Sequence, residues 1–197
     1  VETPLLTGET VWNAAHSLRR QGFVPDVIYG HVSWGAMLFL KDVFPEAAHV
    51  VYCEWFMHSK GQYLDYGGNI LPPNEQCRMR SSHVSTLLTL QDAEAGISPF
   101  LWQKKQFPIE FQKKIEVIPD GVDTERFAPL TGGADLLKEF GIPRAKELLT
   151  YVSRGMEPIR GFPQFAAALA IVQKRRPKSH AVIVGKLEPA YESEAFD

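Results

Sequence analysis

Cysteine is scarce: the 197 residues contain two, Cys53 and Cys77, far apart in the chain. That excludes a disulfide framework and argues for a reduced thiol pair in a cytoplasmic protein rather than a metal site. Long hydrophobic runs are also missing. The longest, Trp34–Leu40, meets Lys41 and Asp42 at once, whereas a spanning helix needs about 20 apolar residues. No transmembrane segment is expected, and any membrane association would be peripheral. The first residues lack the basic and apolar regions of a signal peptide. Neither sign of charge prevails: Lys+Arg 21 against Asp+Glu 23 leaves −2, which argues against nucleic acid as a partner. His16, His49, His83 and His180 show no mutual spacing that would chelate a metal. No Gly-x-Ser-x-Gly elbow, Walker loop or Gly-x-Gly-x-x-Gly occurs in these residues. Hydrolase, NTPase and dinucleotide chemistry lose their usual signatures.

What is present is an ordinary globular chain. Apolar residues make up 45% and charged residues 22%, enough for a core, and the length fits about one domain or parts of two. Short β-rich runs alternate with longer amphipathic stretches. Strands are expected at Asp26–Gly30, His49–Cys53, Ala95–Ser98, Ile115–Ile118, Leu148–Val152 and His180–Val184. Helices are expected at Thr10–Arg20, Trp34–Asp42 and Asn74–Asp92, the last with Met79, Val84, Leu87, Leu88 and Gln91 on or beside one face. A helical turn opens at Pro99. A further helix carries the stripe Phe162, Phe165, Ala166, Leu169, Val172 and stops before Pro177. Trp55–Pro73, with Gly61, Gly67 and Gly68, reads as a long functional connection, and Thr131–Gly133 as a linker. The pattern predicts α/β architecture with parallel sheets and crossover helices. A boundary is expected near 120–145, with a second sheet left unfinished.

Open parallel sheets bind ligands outside the carboxyl ends of their strands. The residues expected there are His31, Glu54, Ser98, Asp120, Arg154 and Gly185. Glu54 would orient a hydroxyl or act as a base, or simply face water. His31 has the same geometry, but a lone histidine near Trp34 is more often a structural residue than a catalyst. Trp34, Trp55 and Trp102 offer aromatic faces suited to sugar rings, although core packing is the preferred reading for Trp102. In Ser153–Pro163, Arg154 closes a strand while Arg160, Gly161 and Pro163 begin a helix. Two guanidinium groups with helix-start N–H groups make an anion site best suited to phosphate. The competing reading is two solvated arginines, one paired with Glu157.

Ile118–Phe127 (IPDGVDTERF) resembles the "IPNGVD…F" segment of glycosyltransferase family 4, and Ser153, Arg154, Arg160 and Gly161 resemble its "GR…KG" motif. Pro25–His31 followed by Val50–Glu54 matches its acceptor-domain strands. The resemblance spans roughly residues 25–185 and implies two Rossmann-like domains across a cleft, the GT-B arrangement. Residues 1–125 would be the later part of the acceptor-side domain and 126–197 the first part of the donor-side domain. It implies retaining transfer of a sugar from a UDP- or GDP-sugar to a glycan or lipid-linked acceptor, with no metal or other cofactor. Arg154, Arg160 and Gly161 would hold the donor diphosphate. Arg160 stands where the family usually has Lys, and Glu54 near the usual position of a catalytic His, so Glu54 or His58 would take that role, beside His31. The family's glycine-rich loop would precede Val1 and its Glu-x7-Glu segment would follow Asp197. The resemblance thus implies an internal fragment, inactive alone, of an enzyme about twice this length. A nucleotide-sugar epimerase of the same architecture and a non-catalytic binding module are the alternatives.

Overall fold

The computed structural model describes residues 2–60, 70–129, 137–139, 141 and 147–186. Gly61, Gly67 and Gly68 of the long connection, Thr131–Gly133 of the expected linker, and the chain after Lys186 lie outside them. The chain divides into two compact units, Val1–Gly121 and Val122–Asp197.

The first unit is a four-stranded parallel sheet in the order β1 (Val27–His31), β2 (Ala48–Tyr52), β3 (Ala95–Ser98), β4 (Ile115–Val117). Its helices are α1 (Glu2–Arg20), α2 (Leu40–Val43), α3 (Pro73–Asp92), α4 (Leu101–Lys104) and α5 (Ile109–Gln112). Every strand pairs with the next in sequence, so the sheet advances in one direction. Right-handed crossovers advancing one way put their helices on a single face. That face buries Val51, Cys53, Ser98 and Ile115 against Val43, Phe44, Leu90 and Phe107. The opposite pleat leaves Val27 and Tyr29 exposed. The α/β, parallel-sheet expectation holds in both units.

Three helical expectations change. α1 begins eight residues before Thr10, running through Pro4 and Gly8. Proline is tolerated in a first turn, and Gly8 is where α1 meets the segment before α2. A Cβ there would sit 2.9 Å from the Phe39 ring and 3.1 Å from the Gly35 carbonyl oxygen. Most of Trp34–Asp42 is turn, with α2 only its last part. α3 does not bury Val84 or Leu88, which are exposed; it turns Ser85, Thr86, Thr89 and Leu90 inward. Small side chains let this crossover helix lie close to its neighbours. Ser85 Oγ donates to the Ser82 carbonyl and Thr86 Oγ1 donates to Ser33 Oγ at 3.3 Å, whereas Thr89 Oγ1 is buried with no hydrogen-bond partner among the described residues.

The foot of the sheet is pinned by charge. Glu94 accepts from the His49 N–H at 2.6 Å and pairs with Lys41 at 2.5 Å. Lys114 Nζ donates to the carbonyls of Leu90 and Ala93.

The second unit pairs β5 (Leu148–Gly155) with β6 (His180–Lys186) in parallel, connected through α6 (Phe162–Arg175). Phe162, Phe165, Leu169 and Val172 form the expected stripe, half-buried, with Ala166 exposed. Tyr151 packs against both phenylalanine rings, with centroids at 5.4 and 4.9 Å. Arg154, expected just past the strand, lies within β5, and Gly185 within β6.

Candidate functional site

At the carboxyl edge of the first sheet, His31 is the last residue of β1 and Glu54 lies two residues past β2. Parallel register sets His31 beside Tyr52, which brings His31 Nε2 to 3.2 Å from Glu54 Oε2. The Ser33 N–H donates to His31 Nδ1 at 3.2 Å. Nδ1 is therefore an acceptor and the proton of the neutral ring sits on Nε2, donated to the carboxylate. The Trp34 indole stacks on the imidazole at 4.2 Å, 20° from parallel, and remains 67% exposed. Burial holds His31 below the ordinary histidine pKa, outweighing the hydrogen bond and charge of Glu54.

The same edge continues to β4. Tyr52 Oη donates to Asp120 Oδ1 at 2.7 Å, tying the end of β2 to the turn after β4. Burial first, then Asp120, push the phenol far above its usual range. Ser98 is fully buried at the end of β3 and donates to the Phe100 carbonyl. Sequence reading had marked Asp120 but not Tyr52. The available signal was its place on the pleat that alternates away from the core.

A second aromatic group differs from expectation. Trp102 is half exposed rather than core, because α4 is a single turn. Its ring lies 5.7 Å from that of Trp55. His58 Nε2 lies 2.9 Å from the Gln106 carbonyl, away from the His31–Glu54 hydrogen bond.

In the second unit, β5 turns through a single 3₁₀ turn (Pro158–Arg160) into α6. Gly161 takes φ +76° at the helix N-cap, a conformation that favours glycine. Glu157 is buried and accepts from Arg160 Nε at 2.7 Å. Tyr151 Oη donates to the Arg160 carbonyl at 3.0 Å. The guanidinium is thus anchored through Nε, on the residue that precedes the Gly161 N-cap of α6. Arg154 is exposed on β5. Both arginines and Gly161 fall in one strand–turn–helix connection.

These charges have a measurable consequence for stability. The folded-state pKa values of His31 and His83 are lowered, chiefly by burial. The unfolded chain therefore takes up protons first on acidification, and stability is expected to rise with pH until about 6.5 and then level off. Urea midpoints from about pH 5 to about pH 7.5 check this. The slope should flatten in His31→Gln, and an unchanged slope would remove His31 from the account.

Among the described residues no helix is long and apolar enough to cross a membrane. A search of curated proteins gives no match. Residues 1–127, which hold β1–β4 and the turn bearing Asp120, match the family described as "Glycosyl transferase family 4 group". The chain belongs to that family of glycosyltransferases.

Proposed function

We propose that the chain serves a retaining glycosyl transfer from a UDP- or GDP-sugar to a glycan or lipid-linked acceptor. Residues 1–125 supply the acceptor side and 126–197 open the donor side. The observation that carries the reading is the His31–Glu54 pair under an exposed indole, at the strand ends where open α/β sheets bind ligands. Glu54, 49% exposed, orients the acceptor hydroxyl. His31 fixes that carboxylate through Nε2–H, and Trp34 offers an apolar face to a sugar ring. Arg154, Arg160 and the backbone at Gly161 hold the donor diphosphate and stabilise the charge that grows as it leaves. In the transfer the bond from the anomeric carbon to the diphosphate oxygen breaks. A bond to the acceptor oxygen forms on the same face, and the acceptor proton leaves with the departing phosphate.

The deciding experiment follows the anomeric proton by NMR while the enzyme bearing this chain turns over UDP- and GDP-sugars. Product with the donor's own anomeric configuration is expected, and Glu54→Gln should lower kcat by about two orders of magnitude. Inverted product would overturn retention. Isomerised donor formed without acceptor would point to the epimerase reading instead.

A further inference from the structure

A cavity of 580 Å³ opens in the first unit between the segment after β2, the first half of α3 and α4. Its wall includes His58, Lys60, Gln76, Arg80, His83 and Trp102, and among the described residues none that line it is acidic. None of these residues belongs to the His31–Glu54 pair or to the Arg154–Gly161 connection. Lys60 and Arg80 are exposed and make no ion pair among the described residues. Arg78, two positions before Arg80 but outside the cavity, is instead paired with Glu75 at 3.2 Å. Among the described residues, the arginine that lines the cavity is thus the one without a carboxylate partner.

The two imidazoles are fixed in place. His83 Nε2 lies 2.6 Å from the Met57 carbonyl and His58 Nε2 lies 2.9 Å from that of Gln106. A carbonyl only accepts, so each ring donates from Nε2. The ring centroids are 6.4 Å apart. His83 is held below its ordinary pKa by burial first, which outweighs its hydrogen bond to the Met57 carbonyl. Two permanent cations, with no acid among the described lining residues, concentrate anions.

We propose that this cavity is an anion subsite that takes a phosphate group carried by the acceptor. Arg80 and Lys60 supply charge-assisted hydrogen bonds, and Trp102 packs on the apolar face of the ring or chain beside the phosphate. His58 is four positions after Glu54, a span of at most about 14 Å, so the cavity lies within reach of an acceptor held at Glu54. Assigning the anion to the acceptor rests on the proposed transfer reaction; phosphate binding itself does not.

The test is an NMR titration of the histidine ring resonances of the full chain with inorganic phosphate. His58 and His83 should shift saturably while His16 does not. Arg80→Gln and Lys60→Gln should each weaken binding about tenfold or more, whereas Arg78→Gln should leave it unchanged. All three positions are exposed, so matching thermal midpoints will confirm that the variants fold. Shifts that do not saturate, or equal losses in Arg78→Gln and Arg80→Gln, overturn the site. Two competitors identify its source. Displacement by glycerol 3-phosphate alone marks a soluble phosphate ester, and displacement by phosphatidylglycerol vesicles but not phosphatidylcholine vesicles marks a lipid headgroup. Loss of glycosyl transfer with phosphate binding intact would count against the reaction and leave this site standing.

Discussion

Arg160→Ala is expected to lower kcat/KM for the nucleotide sugar by about two to three orders of magnitude, the usual loss when one donor to a developing oxyanion is removed. Two effects combine in that variant. On the proposed reading the diphosphate loses a guanidinium, and Glu157, only 8% exposed, loses one partner 2.7 Å away. The second effect belongs to stability, and a charge-assisted hydrogen bond contributes about 1.5–3 kcal/mol. The two are separable. Arg160→Lys keeps the charge but not the fork, so it should retain donor binding with a loss of about tenfold. Glu157→Gln keeps Arg160 but loosens its anchor, so it should raise the donor KM more than it lowers kcat. Adding Glu157→Gln to Arg160→Ala should recover stability without recovering turnover. Steady-state kinetics beside urea denaturation of the four variants read both quantities. If Arg160→Ala keeps the parent donor KM and kcat, Arg160 is a surface ion pair and the phosphate assignment falls.

Gly35→Ala is the substitution expected to cost most stability. Gly35 follows Trp34, sits at φ +85°, and passes so close to α1 that an added Cβ would lie 2.0 Å from the Pro4 carbonyl oxygen. The left-handed backbone costs a non-glycine residue about 1–2 kcal/mol, and overpacking against backbone adds about 1–3. The sum, about 2–5 kcal/mol, is a large part of the 5–15 kcal/mol typical of a domain. Gly22 supplies the comparison. Its φ is +88° but nothing lies within 4 Å of its would-be Cβ, so Gly22→Ala should show the backbone cost alone. Urea midpoints of the two variants isolate the packing of α1 on the 35–39 turn. Equal losses would mean that this contact relaxes without cost. The same substitution is expected to disturb Trp34 and with it the stack on His31.

The strands were readable because Val, Ile and Tyr runs lie between Gly, Pro and charged residues, and burial of alternate side chains reinforces that pattern in β2 and β3. α3 misled because hydroxyl side chains occupy the inward face, where apolar periodicity looks for Leu and Val. The first half of α1 was hidden by Pro4 and Gly8, each of which has a positional use that local propensity cannot express. His31 and Glu54 were legible singly, as residues at strand ends. Their pairing was not, because it depends on β1 and β2 being neighbours in a particular register. Tyr52 and Asp120 are 68 positions apart and meet only across a folded sheet. Likewise His58 and His83, or Trp55 and Trp102, come together through crossovers whose closure no spacing rule encodes. Arg160 was flagged by its place before Gly161, and its bond to Glu157 follows from i,i+3 spacing through the turn.

Consecutive strand order also bears on how the first unit comes into being. Val27 pairs with Ala48, Val50 with Ala95 and Gly96 with Ile115, so each strand finds a partner already behind it in the chain. No pairing waits for a later segment to be inserted between two earlier ones. Loop-closure entropy is met in small successive steps, and the sheet can grow from β1 to β4 in the order of synthesis. The edge that β1, β2 and β3 each present on this side is the one the next strand occupies, so that edge stays exposed only until the following crossover is made.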